Sequence, residues 1–256
     1  GQGKHFGGIV NLRTDTMTVF QSGQDRRPQD FDTIAVSNLD ALRKRFGDDF
    51  AVRGSGVNTE IVAGSSNSSG TAPKTLAVLT TADGSTFTAQ GLPVADAGVA
   101  NGDLRLGISF GAGSTVYANQ NNNLRYLSYD GGAATLNASY TLVSGGGTPG
   151  PQEFSPANDV LVALTFGAAH RVNLYDASLL APGASINPDD FETLPTANAN
   201  ANGSGSVEFS LSGDTVYVLG SNNGIHAYSV VQAIPEPGTL SLLGLGAFGL
   251  LIARRR

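Results

Sequence analysis

The sequence predicts an all-β protein of repeated short strands, followed by a short C-terminal transmembrane helix. Three observations lead to this prediction. Apolar and polar residues alternate over short segments such as Arg171–Tyr175, which is the pattern of a strand with one buried face. Related segments recur, and their aromatic residues Phe110, Phe154 and Phe209 are 44 and 55 residues apart. The chain ends in an uncharged apolar stretch and three arginines.

The composition excludes several classes of function. The 256 residues carry a net charge of -6 and include no cysteine, so disulfide scaffolds, thiol catalysis and cysteine-ligated metals are excluded. An acidic chain without basic clusters is a poor binder of nucleic acids. The hydrophobic fraction of 40% is sufficient for a folded core. No cofactor is predicted.

The repeats share one pattern, in which an aromatic residue, a small polar turn and a β-rich strand are followed by a second turn and a second strand. Three copies are clear, and a fourth at Val52–Ala63 is weaker. The clear copies begin with Ile108–Ala118, Glu153–Ala163 and Val207–Val218.

A unit of strand, turn and strand that recurs every ~40–50 residues is typical of the blades of a β-propeller. A β-sandwich or an irregular β-solenoid is the alternative. Segments Ser212–Val218 and Gly224–Tyr228 resemble those of YVTN-type and quinoprotein-like propellers. Four blades are at the low end of the ~4–8 that close a propeller. N-terminal blades are therefore either missing or supplied by residues 1–50.

We divide the chain into residues 1–50 as a lead-in or partial blade, 51–232 as the propeller-like repeats and 233–256 as a C-terminal segment. The lead-in contains two strand-like segments, Gly8–Arg13 and Thr16–Phe20. It also contains a predicted short helix that is capped by Ser37 and extends to Phe46.

The C-terminal segment combines Pro235, Glu236 and Pro237 with 15 uncharged residues, Thr239–Ala253. As a helix this stretch spans about 22 Å, which is short of a ~30 Å hydrocarbon core. A buried helix of a soluble domain would have a polar face, and this stretch has none. The predicted anchor residues are Leu240, Leu242, Leu243, Leu245, Phe248, Leu250, Leu251 and Ile252, and the positive flank is Arg254, Arg255 and Arg256.

This order of Pro-Glu-Pro, apolar segment and arginine cluster resembles the PEP-CTERM sorting signal. The resemblance implies export by a Gram-negative bacterium that makes exopolysaccharide. It implies that the tail holds the protein in the inner membrane until an exosortase, a membrane protease, processes it for the cell surface or the extracellular space. Such proteins also carry an N-terminal secretion signal. The chain opens with Gly1–His5, so either that signal was removed or the chain is part of a longer protein.

Few residues in the body suggest chemistry. His170 and His226 are placed by the repeats in or beside the second strands of two blades, and packing is favoured over a ligand role. Asp189 and Asp190 are weak candidates for calcium ligands, because a loop with two carboxylates is usually a solvated turn. Six tyrosines could stack on sugar rings, although half-buried packing is the favoured interpretation: Tyr117, Tyr126, Tyr129, Tyr175, Tyr217 and Tyr228.

The sequence therefore favours an exported, exosortase-processed surface or matrix protein with a non-catalytic, propeller-like body for binding or display. Its expected partners are an exosortase, the inner membrane transiently and extracellular polysaccharide. The alternative is an exported polysaccharide-active enzyme, which requires Asp, Glu or His side chains from several blades to converge at the ring centre. A third hypothesis is a membrane-anchored protein that is never cleaved.

Co-expression with an exosortase tests the sorting interpretation. We expect mass spectrometry of the mature protein to show a C-terminus that lacks the three arginines. An intact Arg256 would contradict processing and favour the permanently anchored protein.

Overall fold

The computed structural model describes residues 46–65, 75–94, 96, 98–100, 102–198 and 205–230, and three strands that precede them. The early strands are β1 (Phe6–Asn11), β2 (Thr16–Gln21) and β3 (Val36–Ser37). The rest of the described chain forms four sheets that are arranged like the blades of a propeller. The predicted all-β, propeller-like fold is confirmed.

Blade I has four antiparallel strands in sequential order, with β3 added in parallel at its outer edge. Its strands are β4 (Phe46–Arg53), β5 (Glu60–Ser65), β6 (Thr75–Thr81) and β7 (Phe87–Pro93). The turn after β4 requires a glycine, because Gly54 has a φ of +77° and a Cβ there would lie 2.1 Å from the carbonyl oxygen of Asn58. The side chain of Asp83 orders the turn after β6 by accepting the N–H groups of Ser85 and Thr86.

Blade II repeats the same meander. Its strands are β8 (Gly107–Phe110), β9 (Thr115–Gln120), β10 (Asn123–Tyr129) and β11 (Ala134–Leu142). The link from β9 to β10 is two residues long, and Asn121 adopts the left-handed conformation that such tight hairpins need.

Blade III consists of β12 (Thr148–Ser155), β13 (Val160–Phe166), β14 (Arg171–Asp176) and β16 (Asp190–Thr193). Between β14 and β16 the chain crosses to blade II and adds β15 (Ser185–Ile186) in parallel to the outer edge of β11. This excursion ties the outer edges of two blades together.

Blade IV has three strands, β17 (Gly205–Phe209), β18 (Thr215–Gly220) and β19 (Gly224–Ser229). Strands β1 and β2 pair with each other as a separate antiparallel hairpin. The lead-in differs from the prediction at the ends of its helix. Ser37 lies in β3 and Phe46 begins β4, and residues 38–45 between them lie outside the described ones.

The first strands of the four blades form an inner series, in which β4 contacts β8, β8 contacts β12 and β12 contacts β17. Within the described part of the chain, β17 makes no comparable contact with β4. The described blades therefore form an arc with three joints between neighbouring blades.

Each neighbouring pair of blades encloses its own apolar cluster. The cluster between blades I and II includes Val62, Ile108 and Leu127. The cluster between blades II and III includes Leu161 and Tyr175 of blade III, which pack against blade II. Val162 and Val218 represent the cluster between blades III and IV. Because successive strand residues point to opposite faces, each inner blade supplies side chains to two clusters.

A polar contact reinforces the joint between blades I and II. The guanidinium of Arg53 donates to Glu60 and, at 2.9 Å, to the hydroxyl of Tyr129 in blade II, and it lies 4.3 Å above the ring of Phe110. The hydroxyl of Tyr129 donates in turn to Glu60 at 2.8 Å. The same arginine therefore binds an acid on its own blade and two aromatic residues of the next.

No helix in the described part of the chain is long and apolar enough to cross a membrane. The predicted anchor and sorting residues after position 230 lie outside the described ones.

Two leucine substitutions test where the stability resides. Leu127 is fully buried between blades I and II, and Leu211 is fully exposed in the turn after β17. We expect Leu127→Ala to lower the free energy of unfolding by about 2–5 kcal/mol, because it leaves a cavity, whereas Leu211→Ala should change it by less than about 0.5 kcal/mol. Urea unfolding followed by circular dichroism measures both, and equal losses would contradict the proposed packing.

Candidate functional site

The inner strands carry a common dipeptide near the axis of the arc. In β4, β12 and β17 an acidic residue precedes a phenylalanine, as Asp49-Phe50, Glu153-Phe154 and Glu208-Phe209, and in β8 the pair is Ser109-Phe110. In blades II to IV the phenylalanine packs with residues of the preceding blade. Strand alternation then turns the residue before it towards the following blade.

Asp49 reaches from blade I to the inner strands of two other blades. Its Oδ2 accepts the backbone N–H of Ile108 in β8 at 3.2 Å, and the backbone of Gln152 in β12 also hydrogen-bonds to it. Its Oδ1 accepts the N–H of Phe50 at 2.9 Å. The carboxyl group therefore lies between inner strands, close to the axis.

The pKa of Asp49 is raised to about 7, because burial disfavours the charged form. Its backbone hydrogen bonds lower the pKa, and the negative charge of Glu208 raises it. The effect of burial exceeds that of the hydrogen bonds, so the group titrates near neutral pH.

Glu153 and Glu208 complete the group of acids. The pKa of Glu153 is raised to about 9, mainly by burial and in smaller part by the charges of Glu208 and Asp49. Burial also raises the pKa of Glu208. Water still reaches these acids, because Glu153 is partly exposed and Glu208 is exposed. We call Asp49, Glu153 and Glu208 the axial acids.

At neutral pH the carboxyl group of Glu153, with a pKa of about 9, is protonated, and that of Asp49, with a pKa of about 7, is protonated in part. A protonated carboxyl group both donates and accepts hydrogen bonds, as a hydroxyl-rich ligand requires. Carboxyl groups whose pKa values differ can also divide the roles of acid and base. Three of the four inner strands therefore each supply one carboxyl group to this region, and their charges influence one another.

Buried amides lie next to this region, between blades II and III. The Nδ2 of Asn119 donates to the carbonyl of Gly150 at 3.0 Å and to the Oε1 of Gln152 at 3.1 Å. These bonds join β9 to β12 and hold the strand that presents Glu153.

The two predicted histidines lie near each other, since both contact Asn223. The Nδ1 of His170 is 2.8 Å from the carbonyl oxygen of Thr196 and 3.0 Å from the Nδ2 of Asn223. The Nε2 of His226 is 3.2 Å from the carbonyl oxygen of Asn223. His170 is buried. The arrangement fixes a loop of blade III to blade IV, in agreement with the favoured packing role.

Asp189 and Asp190 bind the backbone of their own region. Asp189 accepts the N–H of Asp176 at 2.6 Å, and Asp190 accepts that of Phe191 at 2.8 Å. Across the residues with described side chains, no three His, Cys, Asp or Glu side chains lie close enough to hold a metal ion. Asp189 therefore binds the end of β14, and Asp190 binds the residue that follows it in β16.

Most of the predicted tyrosines pack between blades. Tyr117 stacks on Tyr126 at 4.7 Å and contacts Phe154 of blade III at 4.8 Å between ring centroids. The hydroxyl of Tyr175 donates to the carbonyl of Val143 at 3.1 Å. Tyr217 on β18 is exposed and is the member of this set that is open to a partner.

Sequence reasoning missed the axial acids as a group. A signal was present, because Glu153 and Glu208 precede the aligned phenylalanines of two repeats. Asp49 gave no such signal, because the fourth repeat in the sequence begins at Val52, whereas the inner strand of blade I begins at Phe46 and so includes Asp49.

Comparison with known proteins identifies the C-terminal segment. Residues 233–256 match the family model of the PEP-CTERM protein-sorting motif. The predicted sorting signal is thereby confirmed, and this motif implies an exosortase-sorted, exported protein.

Other similarities are partial. A peptide chain release factor 3 from Bordetella petrii is 44% identical over 50 residues, which are 20% of this chain and 9% of that protein. Three solved structures cover about nine-tenths of this chain and less of their own. A complex of KlAtg21 with the coiled-coil of AgAtg16 is 12% identical, with 89% of this chain and 64% of that chain covered and a TM-score of 0.46. A Lactobacillus plantarum protein is 14% identical, with 91% of this chain and 64% of that chain covered and a TM-score of 0.45. A Bacteroides uniformis protein described as a candidate 6-phosphogluconolactonase is 16% identical, with 91% of this chain and 76% of that chain covered and a TM-score of 0.41.

The raised pKa values predict a loss of stability as the pH rises. A carboxyl group whose pKa is raised by folding contributes stability that is complete below its unfolded pKa and is lost as the pH passes its folded pKa. For Glu153 this window extends from 4.5 to about 9. We expect the free energy of unfolding in urea to fall across the window and Glu153→Gln to flatten the fall.

Glu192→Gln on the exposed strand β16 is the matched control for the change in net charge. An equal pH dependence in the wild-type protein and the Glu153→Gln variant would contradict the raised pKa of Glu153.

Proposed function

We propose that this protein is an exported, exosortase-processed surface or extracellular-matrix protein with a non-catalytic body that binds extracellular polysaccharide. The PEP-CTERM motif at residues 233–256 is the observation that carries the proposal, because it implies membrane sorting followed by export to the cell surface. In this proposal the apolar residues of the tail form a transient anchor in the inner membrane, and Pro235, Glu236 and Pro237 are recognised by the exosortase.

The propeller-like arc supports a binding role for the body. Its inner strands bring Asp49, Glu153 and Glu208 from three blades towards one axis. With a pKa of about 9, Glu153 is protonated at neutral pH, and with a pKa of about 7, Asp49 is protonated in part, so both can form hydrogen bonds with hydroxyl groups without strong charge repulsion. A neutral or weakly acidic polysaccharide provides such hydroxyl groups in a regular series. We therefore place the binding site at the axial acids.

A second candidate function is an exported enzyme that cleaves polysaccharide. It is favoured by the same axial acids, because most glycosidases use two carboxyl groups, one that donates a proton and one that acts as a base or nucleophile. Glu153, with the higher pKa, is the candidate acid, and Asp49 is the candidate base. The two functions share a site and differ in whether the ligand is released intact.

One experiment separates these functions. The full-length protein in detergent is incubated with the exopolysaccharide fraction of the producing bacterium, and both binding and the release of new reducing ends are measured. We expect binding without release, and about tenfold weaker binding for Asp49→Ala and for Glu153→Ala, the effect of one lost hydrogen bond. Glu192→Ala, which removes an exposed acid from the same blade as Glu153, is the matched control.

The outcomes are distinct. Release of reducing ends that Asp49→Asn and Glu153→Gln abolish would replace the binding function with the enzymatic one. Equal binding by all variants would place the site away from the axial acids, and absence of binding by the wild-type protein would overturn the polysaccharide proposal.

A further inference from the structure

We propose that Arg171 and the turn at residues 144–147 form a binding site for an oxyanion, such as the carboxylate of an acidic sugar or a free phosphate. The site lies where the link between blades II and III meets the start of β14. The proposal goes beyond the proposed function and does not rest on it, because its argument uses none of the axial acids.

The guanidinium of Arg171 has no acidic partner in the described part of the chain. Two other arginines, Arg53 and Arg125, form ion pairs with Glu60 and Asp103 at 2.5 and 2.9 Å between nitrogen and oxygen. The Nε atom of Arg171 is buried and makes no hydrogen bond to the described residues. Because burial of a positive charge is costly unless an acceptor or an anion compensates it, this guanidinium is suited to bind an anionic group.

The ring of Phe191 orients the guanidinium. The Cζ of Arg171 lies 4.4 Å from the centroid of this ring, which is a cation–π contact. Arg171 is partly exposed and Phe191 is 49% exposed, so the contact lies at the protein surface. A guanidinium that is stacked on a ring keeps the N–H groups at its edge free to bind two oxygens of a carboxylate or phosphate.

The turn at residues 144–147 lies against the same guanidinium. Gly145 has a φ of +67°, and a Cβ at this position would overlap the Nη1 of Arg171. A glycine therefore lets the guanidinium approach the backbone of the turn. The N–H groups of Gly145 and Gly146 make no hydrogen bond within the described part of the chain, and both residues are exposed. The turn thus leaves backbone donors close to the guanidinium, where solvent reaches them.

Strand β16 keeps its acidic residues away from this site. Arg171 pairs directly with Thr193, so the two side chains lie on one face of the sheet, and Phe191 shares that face by strand alternation. Asp190 and Glu192 alternate with these residues and lie on the opposite face. The site is therefore locally positive, although the chain as a whole carries a net charge of -6.

The fold supplies the charge that the glycine run lacks in the sequence. Residues 145–147 are all glycine and have no lysine or arginine beside them in the chain. A glycine-rich turn binds phosphate groups when a positive group or the N-terminus of a helix accompanies it. Arg171 provides the positive group from β14, and the exposed hydroxyl of Thr193 adds a donor and acceptor suited to a sugar.

Calorimetric titration with defined anions tests the site. The full-length protein in detergent is titrated with trigalacturonate, with the neutral methyl ester of the same trisaccharide and with inorganic phosphate. We expect trigalacturonate to bind, and the methyl ester to bind at least about tenfold more weakly, because it lacks the charge that the guanidinium recognises.

Substitutions of Arg171 assign the binding to this residue. Arg171→Gln removes the charge and the fork of N–H groups, and we expect at least about tenfold weaker anion binding. Arg171→Lys keeps the charge without the fork and should give an intermediate affinity. Arg105→Gln removes the same charge from another partly exposed arginine and is the matched control.

The two anions distinguish the sources of the oxyanion. Loss of trigalacturonate binding in Arg171→Gln assigns the site to an acidic sugar, and loss of phosphate binding alone assigns it to a phosphate group. Either result supports the site. Equal anion binding by the wild-type protein and Arg171→Gln, or no anion binding by the wild-type protein, would overturn it. The axial-acid variants do not enter this comparison, so this proposal and the proposed function fail separately.

Hydrogen exchange of the wild-type protein makes the test independent of any substitution. Mass spectrometry compares amide exchange with and without trigalacturonate, and with and without phosphate. We expect slower exchange in peptides that contain residues 144–147 and the start of β14, and no change in peptides of blade IV. Slower exchange that is confined to other parts of the chain would overturn the proposal.

Discussion

Face-to-face packing of neighbouring blades is the constraint on which the rest of this structure depends. A blade of three or four short strands has two faces and cannot bury either one alone, so each face needs the next sheet. The clusters that contain Ile108, Leu161 and Val162 lie between blades and not within them. The inner-strand phenylalanines reach into these clusters and set the spacing of the blades. Stability is therefore a property of the series of joints.

The chemistry near the axis follows from the same geometry. Because side chains alternate along a strand, the phenylalanine that fills one joint forces the residue before it towards the following blade. In three of the four blades that residue is acidic, and the result is a set of carboxyl groups whose pKa values are raised by burial. The energetic cost of burying Asp49 is partly offset by the backbone N–H groups that it accepts from two other blades. Fold and site are thus two consequences of one dipeptide pattern.

The sequence predicted much of the fold because strand alternation and turn residues are local signals. The strands around Val116, Val160 and Val216 lie where the repeats placed them, and β1 and β2 overlap the two strand-like segments of the lead-in. The predicted helix between Ser37 and Phe46 is strand at both of its ends. A capping pattern with a few apolar residues is weak support for a helix. At the two ends of the predicted helix, strand pairing of Ser37 with β7 and of Phe46 with β5 overrides this local preference.

The sequence by itself determined the all-β class, the repeat and the sorting motif, since each depends on residues close together in the chain. Only the tertiary structure decided that Asp49, Glu153 and Glu208 influence one another and that His170 and His226 share Asn223. These residues are separated by about one or more blades along the chain, and the rotation from blade to blade determines which of them meet. Phe50 and Phe154 both follow an acidic residue on an inner strand, yet Phe50 is exposed and Phe154 is buried, because the ring of Phe154 packs against Tyr117 of the preceding blade and only the tertiary structure brings these two rings together.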